Sequence, residues 1–207
     1  MNKLIFKAGK KYTFSDYFDL NNPPEEIAAA FNYTLTTKPL DFPVVSVDTT
    51  DIKALQTMFY EVLPKVTLNS EVAKRDFLIA PVLSGIIRHV EARINVEYPL
   101  DVDDKLSGSL DYLIESKQNM IVIEAKKGDL DKGFNQLVAE MIALDKHQQD
   151  TAQARVYGAV SIGELWRFGI LERTEKLLIR DLHTYRIPED VEKIFSVIIS
   201  ILKNIKA

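Results

Sequence analysis

Three charged residues in the middle of the chain have the types and the spacing of a site that does chemistry. Asp111 lies in a mostly apolar run, and Glu124 and Lys126 end the aliphatic stretch that begins at Met120. Charged side chains are costly to bury unless they are paired or used. The intervening segment 116–119, Ser-Lys-Gln-Asn, has the composition of a turn. The two stretches therefore predict a β-hairpin.

The predicted hairpin brings the two acids together. If Glu115 pairs with Met120, one face of the hairpin is apolar and Asp111 lies opposite Glu124 on the other face. Their Cβ atoms would be about 5 Å apart, and Lys126 would follow Glu124 at about 7 Å on the same face. Two carboxylates this close repel, which raises one of their pKa values unless a cation lies between them.

The acidic pair has two interpretations. A hard divalent cation prefers oxygen ligands and keeps several waters, so two carboxylates and a substrate phosphate would complete its coordination. The alternative is an ordinary cross-strand salt bridge with Lys126, which needs no metal. Two details favour the metal: the charges end a run of buried aliphatic residues, and Gly108 lies just before Asp111, where a backbone or ligand could approach closely.

This pattern resembles the core motif of the PD-(D/E)XK nuclease superfamily, which has the restriction endonuclease-like fold. Asp111 matches the first acid, and the segment 124–126, Glu-Ala-Lys, matches the second acid and the lysine. The resemblance extends over about residues 70–160. Leu110 stands where the superfamily has the proline of its name, which is often missing.

The resemblance implies a metal-dependent DNA endonuclease that hydrolyses phosphodiester bonds with one or two metal ions. Asp111 and Glu124 would hold Mg²⁺ or Mn²⁺, with the backbone carbonyl of Ala125 as a further ligand. The metal would polarise the phosphoryl oxygen and lower the pKa of a bound water. Lys126 would orient that water or stabilise the charge that grows in the transition state.

Two helical residues extend the resemblance. Glu71 matches an acid on the preceding helix and would hold the metal, or a second one, through water. Gln136 matches a glutamine of the RecB-like branches and would position Lys126, water or the phosphate. Each also has a structural interpretation, because an acid at a helix N-terminus is favourable without any metal, and Gln136 lies opposite the apolar stripe of its helix and would face solvent.

The surrounding sequence predicts the elements that position these residues. The apolar period changes from helical to alternating at Ile94. Helices are predicted over 25–31, 50–63, 70–92 with a kink at Pro81, 134–147 and from 188 to the end; strands are predicted over 94–98, 109–115, 120–126, 155–160, 164–171 and 176–182. The order indicates an α/β fold with a mixed sheet flanked by helices. The resemblance makes its centre the restriction endonuclease-like αβββαβ core, within a nuclease-like domain over 46–207 and behind an extension over 1–45 that packs on it.

Composition narrows the class of protein. The chain has 207 residues, a formal net charge of −4 and no cysteine, which excludes a disulfide framework and a thiolate site. The acidic balance argues against a general nucleic-acid coat, although it leaves room for a local basic groove. No apolar run approaches the roughly 18 residues of a membrane span, and the N-terminus lacks a secretory pattern. A soluble cytoplasmic protein that does not enter membranes is expected.

DNA is the expected partner, with RNA left open. Many members of the superfamily dimerise to cut both strands, so a homodimer stays open as well. Candidates for contacts with the phosphate backbone are Arg75, Arg88, Lys127, Lys132, Lys146, Arg155 and Arg167. The alternative functions are a catalytically inactive nuclease-fold protein that binds nucleic acid or a protein partner, and an accessory factor whose N-terminal extension contacts a partner.

Overall fold

The protein is built on a mixed sheet of eight strands. A computed structural model describes residues 5–45, 49–126, 128–148 and 153–205. The strands are β1 Thr34–Lys38, β2 Ala92–Asp103, β3 Leu106–Ser116, β4 Met120–Ala125, β5 Arg155–Ser161, β6 Leu165–Glu172, β7 Leu177–Asp181 and β8 Tyr185–Arg186. Their order is β1-β7-β6-β5-β4-β3-β2, with β8 paired to β6. The β1–β7 and β4–β5 pairs are parallel and the others antiparallel.

Helices cover both faces of this sheet. They are α1 Phe14–Phe18, α2 Pro24–Ala30, α3 Thr49–Val62, α4 Glu71–Lys74, α5 Ala80–Ile86, α6 Leu130–His147 and α7 Val191–Leu202. A π-helical turn, Arg75–Ile79, joins α4 to α5, and a short 3₁₀ turn, Leu63–Lys65, follows α3. Among the described residues, no helix combines the length and the apolar character that crossing a bilayer requires.

The two faces of the sheet have separate apolar cores. Helices α3, α5 and α7 pack on one face, around buried residues such as Phe59, Ile86 and Phe195. Helix α6 packs on the other face, and α1 and α2 lie against α6 in turn. Residues 133–144 of α6 are all buried as a result, including the polar ones.

The N-terminal residues are an integral part of the second core. Tyr12, Phe14 and Tyr17 are buried there, and the Tyr17 hydroxyl donates a hydrogen bond of 2.7 Å to the carbonyl of Lys105. Strand β1 extends the sheet beyond β7. The sequence pattern did not predict β1, because its residues are exposed or half-buried and show no apolar alternation.

The predicted hairpin register is confirmed. Glu115 pairs with Met120, and the ladder continues to Tyr112 opposite Ile123. Both faces of the hairpin are covered, however, and Leu110 belongs to the core beneath α6 instead of the face of Tyr112. It does so because β3 continues beyond β4 and there meets the N-terminal segment.

Two prolines shape the elements before the hairpin, one against and one in line with the sequence prediction. Strand β2 continues through Pro99, which was predicted to end it, because β2 lies at the edge of the sheet, where a missing N–H is tolerated. The helix predicted over 70–92 ends at Ile86 and contains the π-helical turn ahead of Pro81. Pro81 cannot donate to the carbonyl four residues earlier and its ring crowds that carbonyl, so the regular turn is interrupted.

Candidate functional site

Asp111 and Glu124 lie side by side at the end of the β3–β4 hairpin. They are the next residues after the last ladder pair, Tyr112 and Ile123, so the register continues to bring them together. Asp111 Oδ2 accepts a hydrogen bond of 2.9 Å from the backbone N–H of Ala125. This bond fixes the Asp111 carboxylate against the strand that carries Glu124.

Glu124 is fully buried and forms an ion pair with Lys126. Lys126 Nζ is 2.6 Å from Glu124 Oε1, and its ammonium lies 5.6 Å from the centre of the Phe18 ring. Helix α6 comes close at this point, since a Cβ on Gly133 would lie 3.2 Å from Lys126 Cγ. The lysine is therefore held between α1, α6 and the end of β4, with 13% of its side chain exposed.

The alternative interpretation of Gln136, in which its side chain faces solvent, is wrong. Gln136 is 3% exposed, because α1 and α2 cover the side of α6 that the helical pattern marks as polar. Its Nε2 donates a hydrogen bond of 2.9 Å to Oε1 of Glu140, one turn further along α6. In the structure Gln136 therefore orients Glu140, whereas the resemblance assigned it to Lys126, water or phosphate.

Glu140 is a site residue that the sequence reasoning missed. It is completely buried, and its carboxyl group lies within hydrogen-bonding reach of the Glu124 carboxyl group on the face beneath α6. A signal was present, because Gln136 and Glu140 are four residues apart and hence adjacent on the helix. The aromatic N-terminal segment also required a surface to cover.

Burial dominates the electrostatics of the site. Burial, followed by the charges of Glu140 and Asp111, raises the pKa of Glu124 well above its ordinary value, and Lys126 opposes this only in part. Burial likewise raises the pKa of Glu140 to about 7. Burial lowers the pKa of Lys126, but Glu124 and Glu71 outweigh it and leave that pKa raised. Lys126 is therefore a cation near neutral pH.

Arg75 lies on the open side of Asp111. Its Nη1 is 3.6 Å from Asp111 Oδ1 and 3.6 Å from Glu97 Oε1, and its guanidinium stacks 5.2 Å from the centre of the Tyr112 ring. Arg75 belongs to the π-helical turn, and Glu97 has a φ of +53°, a strained value for a non-glycine residue. Two irregular backbone segments thus converge beside Asp111.

Glu71 occupies the first turn of α4, next to this cluster. Ser70 caps the helix, with its Oγ accepting a hydrogen bond of 3.0 Å from the N–H of Ala73. The charge of Glu71 raises the pKa of Lys126, so the two groups lie within electrostatic range. The structure thus brings Glu71 towards the site from a different element.

Gly108 has a structural role. Its φ of +140° is a conformation that favours glycine, and a Cβ there would lie 3.0 Å from Phe14 Cδ2. The close approach predicted at this glycine is made by the N-terminal segment.

Most of the other predicted phosphate-binding residues form ion pairs with acids other than Asp111 and Glu124. Arg88 pairs with Asp51, Lys146 with Asp103, Arg155 with Glu172 and Arg167 with Asp131. Lys132 is half-buried in the first turn of α6, and Lys127 lies outside the described residues. Arg75 alone of this set contacts the acidic pair in the part of the chain that is described.

The donor chemistry of the pair suits a hard cation. Within the described residues, no three or more His, Cys, Asp or Glu side chains are grouped so as to hold a metal ion. Glu124 already contacts the Lys126 ammonium and the Glu140 carboxyl group, so a bound ion would share Glu124 with them. Mg²⁺ is commonly bound through one or two carboxylates, with waters and substrate phosphates as its other ligands. Asp111, Glu124 and the Ala125 carbonyl therefore fit such an ion.

No protein-family model matches this chain, and no curated protein matches it either. The interpretation of the site accordingly depends on its own geometry and charges.

Proposed function

We propose that this protein is a metal-dependent nuclease that hydrolyses phosphodiester bonds of DNA and has a restriction endonuclease-like core. The order α5-β2-β3-β4-α6-β5 supports this core, with its acids and lysine at one end of the central hairpin. The observation that carries the proposal is the fully buried Glu124 carboxyl group, which the hairpin register places beside Asp111 and which contacts Lys126 at the same end of the sheet.

Each residue has a defined task in this proposal. Asp111, Glu124 and the Ala125 carbonyl would hold Mg²⁺ or Mn²⁺, with Glu71 assisting through water. When bound, the metal polarises a phosphoryl oxygen and lowers the pKa of a water. Lys126, held as a cation, stabilises the negative charge that grows on the phosphoryl oxygens. The hydrogen bond from Gln136 fixes Glu140 beside Glu124.

A second candidate is a nuclease-fold protein that binds nucleic acid or a protein without cutting. One observation favours it: Arg75 lies beside Asp111 and Lys126 beside Glu124, so each acid already has a cation neighbour. Under this reading a divalent ion is not required for the two acids to coexist. A metal titration separates the two candidates.

Plasmid cleavage tests the proposal directly. Supercoiled DNA is incubated with the protein and Mg²⁺ or Mn²⁺, and with the Lys126→Ala and Asp111→Asn variants. Asn at position 111 can still accept the Ala125 hydrogen bond, so that variant removes mainly the charge. We expect either substitution to slow cleavage about 10²–10³-fold, while Lys193→Ala, at a lysine 69% exposed on α7, leaves it unchanged.

Metal binding is measured separately by thermal unfolding. We expect millimolar Mn²⁺ to raise the melting temperature of the wild-type protein and not that of Asp111→Asn. Cleavage by neither metal, on linear, supercoiled or single-stranded DNA, combined with an unchanged melting curve, would refute the nuclease assignment and support the binding function.

A further inference from the structure

A second cluster of charges lies on the same face of the sheet as Glu124, two strands away. Glu124 pairs with Val160 of β5, which pairs with Arg167 of β6. Adjacent strands are about 4.8 Å apart, so the backbone of Arg167 lies about 10 Å from that of Glu124. Arg180 of β7 pairs with Gly169, two residues from Arg167, and therefore shares this face.

These two arginines share one carboxylate. Arg167 Nη1 donates a hydrogen bond of 2.6 Å to Asp131 Oδ1, and Arg180 Nη1 is 3.6 Å from the same oxygen. Both arginine side chains are mostly covered, at 18% and 20% exposed, whereas Asp131 is 71% exposed. The cluster thus carries an excess positive charge behind an acid that is open to solvent.

The arginines are held in place by neighbouring side chains. Arg180 Nε donates to Thr37 Oγ1 at 3.1 Å, and its guanidinium lies 5.8 Å from the centre of the Phe134 ring. Arg167 Nε is buried and has no hydrogen-bond partner among the described residues. A guanidinium presents its donors in a fork that matches the oxygens of a phosphate.

We propose that Arg167 and Arg180 bind a phosphate of the DNA backbone near the one that is hydrolysed. Successive phosphates of one B-DNA strand advance by about 3.4 Å along the helix axis, so a duplex with one phosphate at the acidic pair has other phosphates within about 10 Å of it. In the absence of DNA, Asp131 pairs with both arginines. Because Asp131 is exposed to solvent, a DNA phosphate can displace it. The inference rests on the proposed function for the identity of its ligand.

DNA binding without cleavage is the test. Fluorescence anisotropy of a labelled duplex is measured in EDTA at several salt concentrations, for the wild type and for Arg167→Gln, Arg180→Gln and Asp131→Asn. We expect each arginine variant to weaken binding about three- to tenfold and to reduce the salt slope by about 1. Asp131→Asn is expected to tighten binding, because it removes the competing charge without removing a phosphate contact.

Lys117→Gln is the charge-matched control. Lys117 also pairs with a carboxylate, Glu91, but it lies in the turn between β3 and β4, at the opposite end of the hairpin from Asp111 and Glu124. It should bind DNA like the wild type. Circular dichroism and melting temperature show whether each variant is folded.

The outcomes are distinct. Wild-type affinity and salt slope in both arginine variants, or absence of tightening in Asp131→Asn, would overturn the inference. Inorganic phosphate that raises the melting temperature of the wild type but not of Arg167→Gln, with DNA affinity unchanged, would assign the arginines to a free anion and also overturn it. Because EDTA prevents metal-dependent cleavage, failure of the nuclease assignment would leave this binding result intact.

Discussion

Replacing Glu140 by Gln tests whether burial of a second acid beside Glu124 sets the stability of the protein. Glutamine has nearly the same shape, and its carbonyl oxygen can still accept the hydrogen bond from Gln136. The unfolded chain releases the Glu140 proton near the ordinary pKa of 4.5, whereas the folded chain keeps it until about pH 7. The free energy of unfolding of the wild type therefore falls as the pH rises through this interval.

The size of the effect follows from that pKa difference. A shift from 4.5 to about 7 corresponds to about 3 kcal/mol once the pH is above both values, and to nothing below both. Removing the like charge also lowers the pKa of Glu124, which acts in the same direction. We therefore expect Glu140→Gln to be more stable than the wild type by about 3 kcal/mol at pH 8 and equal to it at pH 4.

Thermal and urea unfolding in EDTA measure this difference. For a chain of this size, about 3 kcal/mol corresponds to a rise of roughly 6–12 °C in melting temperature at pH 8. Glu61→Gln, at an exposed position of α3, is the control and should be neutral at both pH values. The reasoning would be refuted if the difference in free energy of unfolding between variant and wild type were the same at pH 4 and pH 8. It would also be refuted if the variant were the less stable protein at pH 8.

Three further substitutions test the packing around the site. Gly108→Ala should lower the free energy of unfolding, measured with urea, by about 1–3 kcal/mol. The φ of +140° is unfavourable for alanine, and the new Cβ would lie too close to Phe14. Tyr17→Phe should lower the free energy of unfolding by about 1–3 kcal/mol in the same assay, because the Lys105 carbonyl loses its hydrogen-bond donor. An unchanged urea midpoint would show that water replaces the hydroxyl. Ser70→Ala should cost about 1 kcal/mol through loss of the α4 cap, and it should reduce the Mn²⁺-induced rise in melting temperature if Glu71 assists the metal.

The sequence predicted the β3–β4 hairpin because the information was local. Alternation with a period of two means that a slip of one residue would exchange the faces, so the apolar set determines the register. That register places Asp111 beside Glu124 without any knowledge of the rest of the chain. The start of the helix at residue 70 and the strands β2 to β7 were likewise predicted from neighbouring residues.

The surroundings of Gln136 and Glu140 could not be predicted in this way. A helical wheel marks both as polar and hence solvent-facing. They are buried because α1 and α2, more than a hundred residues earlier in the chain, cover that side of α6. The edge strand β1 was missed for a similar reason, since its place in the sheet depends on pairing with the distant β7.

Phe18 of α1 lies against Lys126, so the N-terminal helices form part of the wall of the site. The buried acids are shielded from water by α1 and α2, which are remote in sequence and pack against α6. If that segment loosened, water would reach Glu124 and Glu140, both would ionise near neutral pH, and the local negative charge would increase. The charge that the site presents to a cation therefore depends on the packing of α1 and α2 against α6.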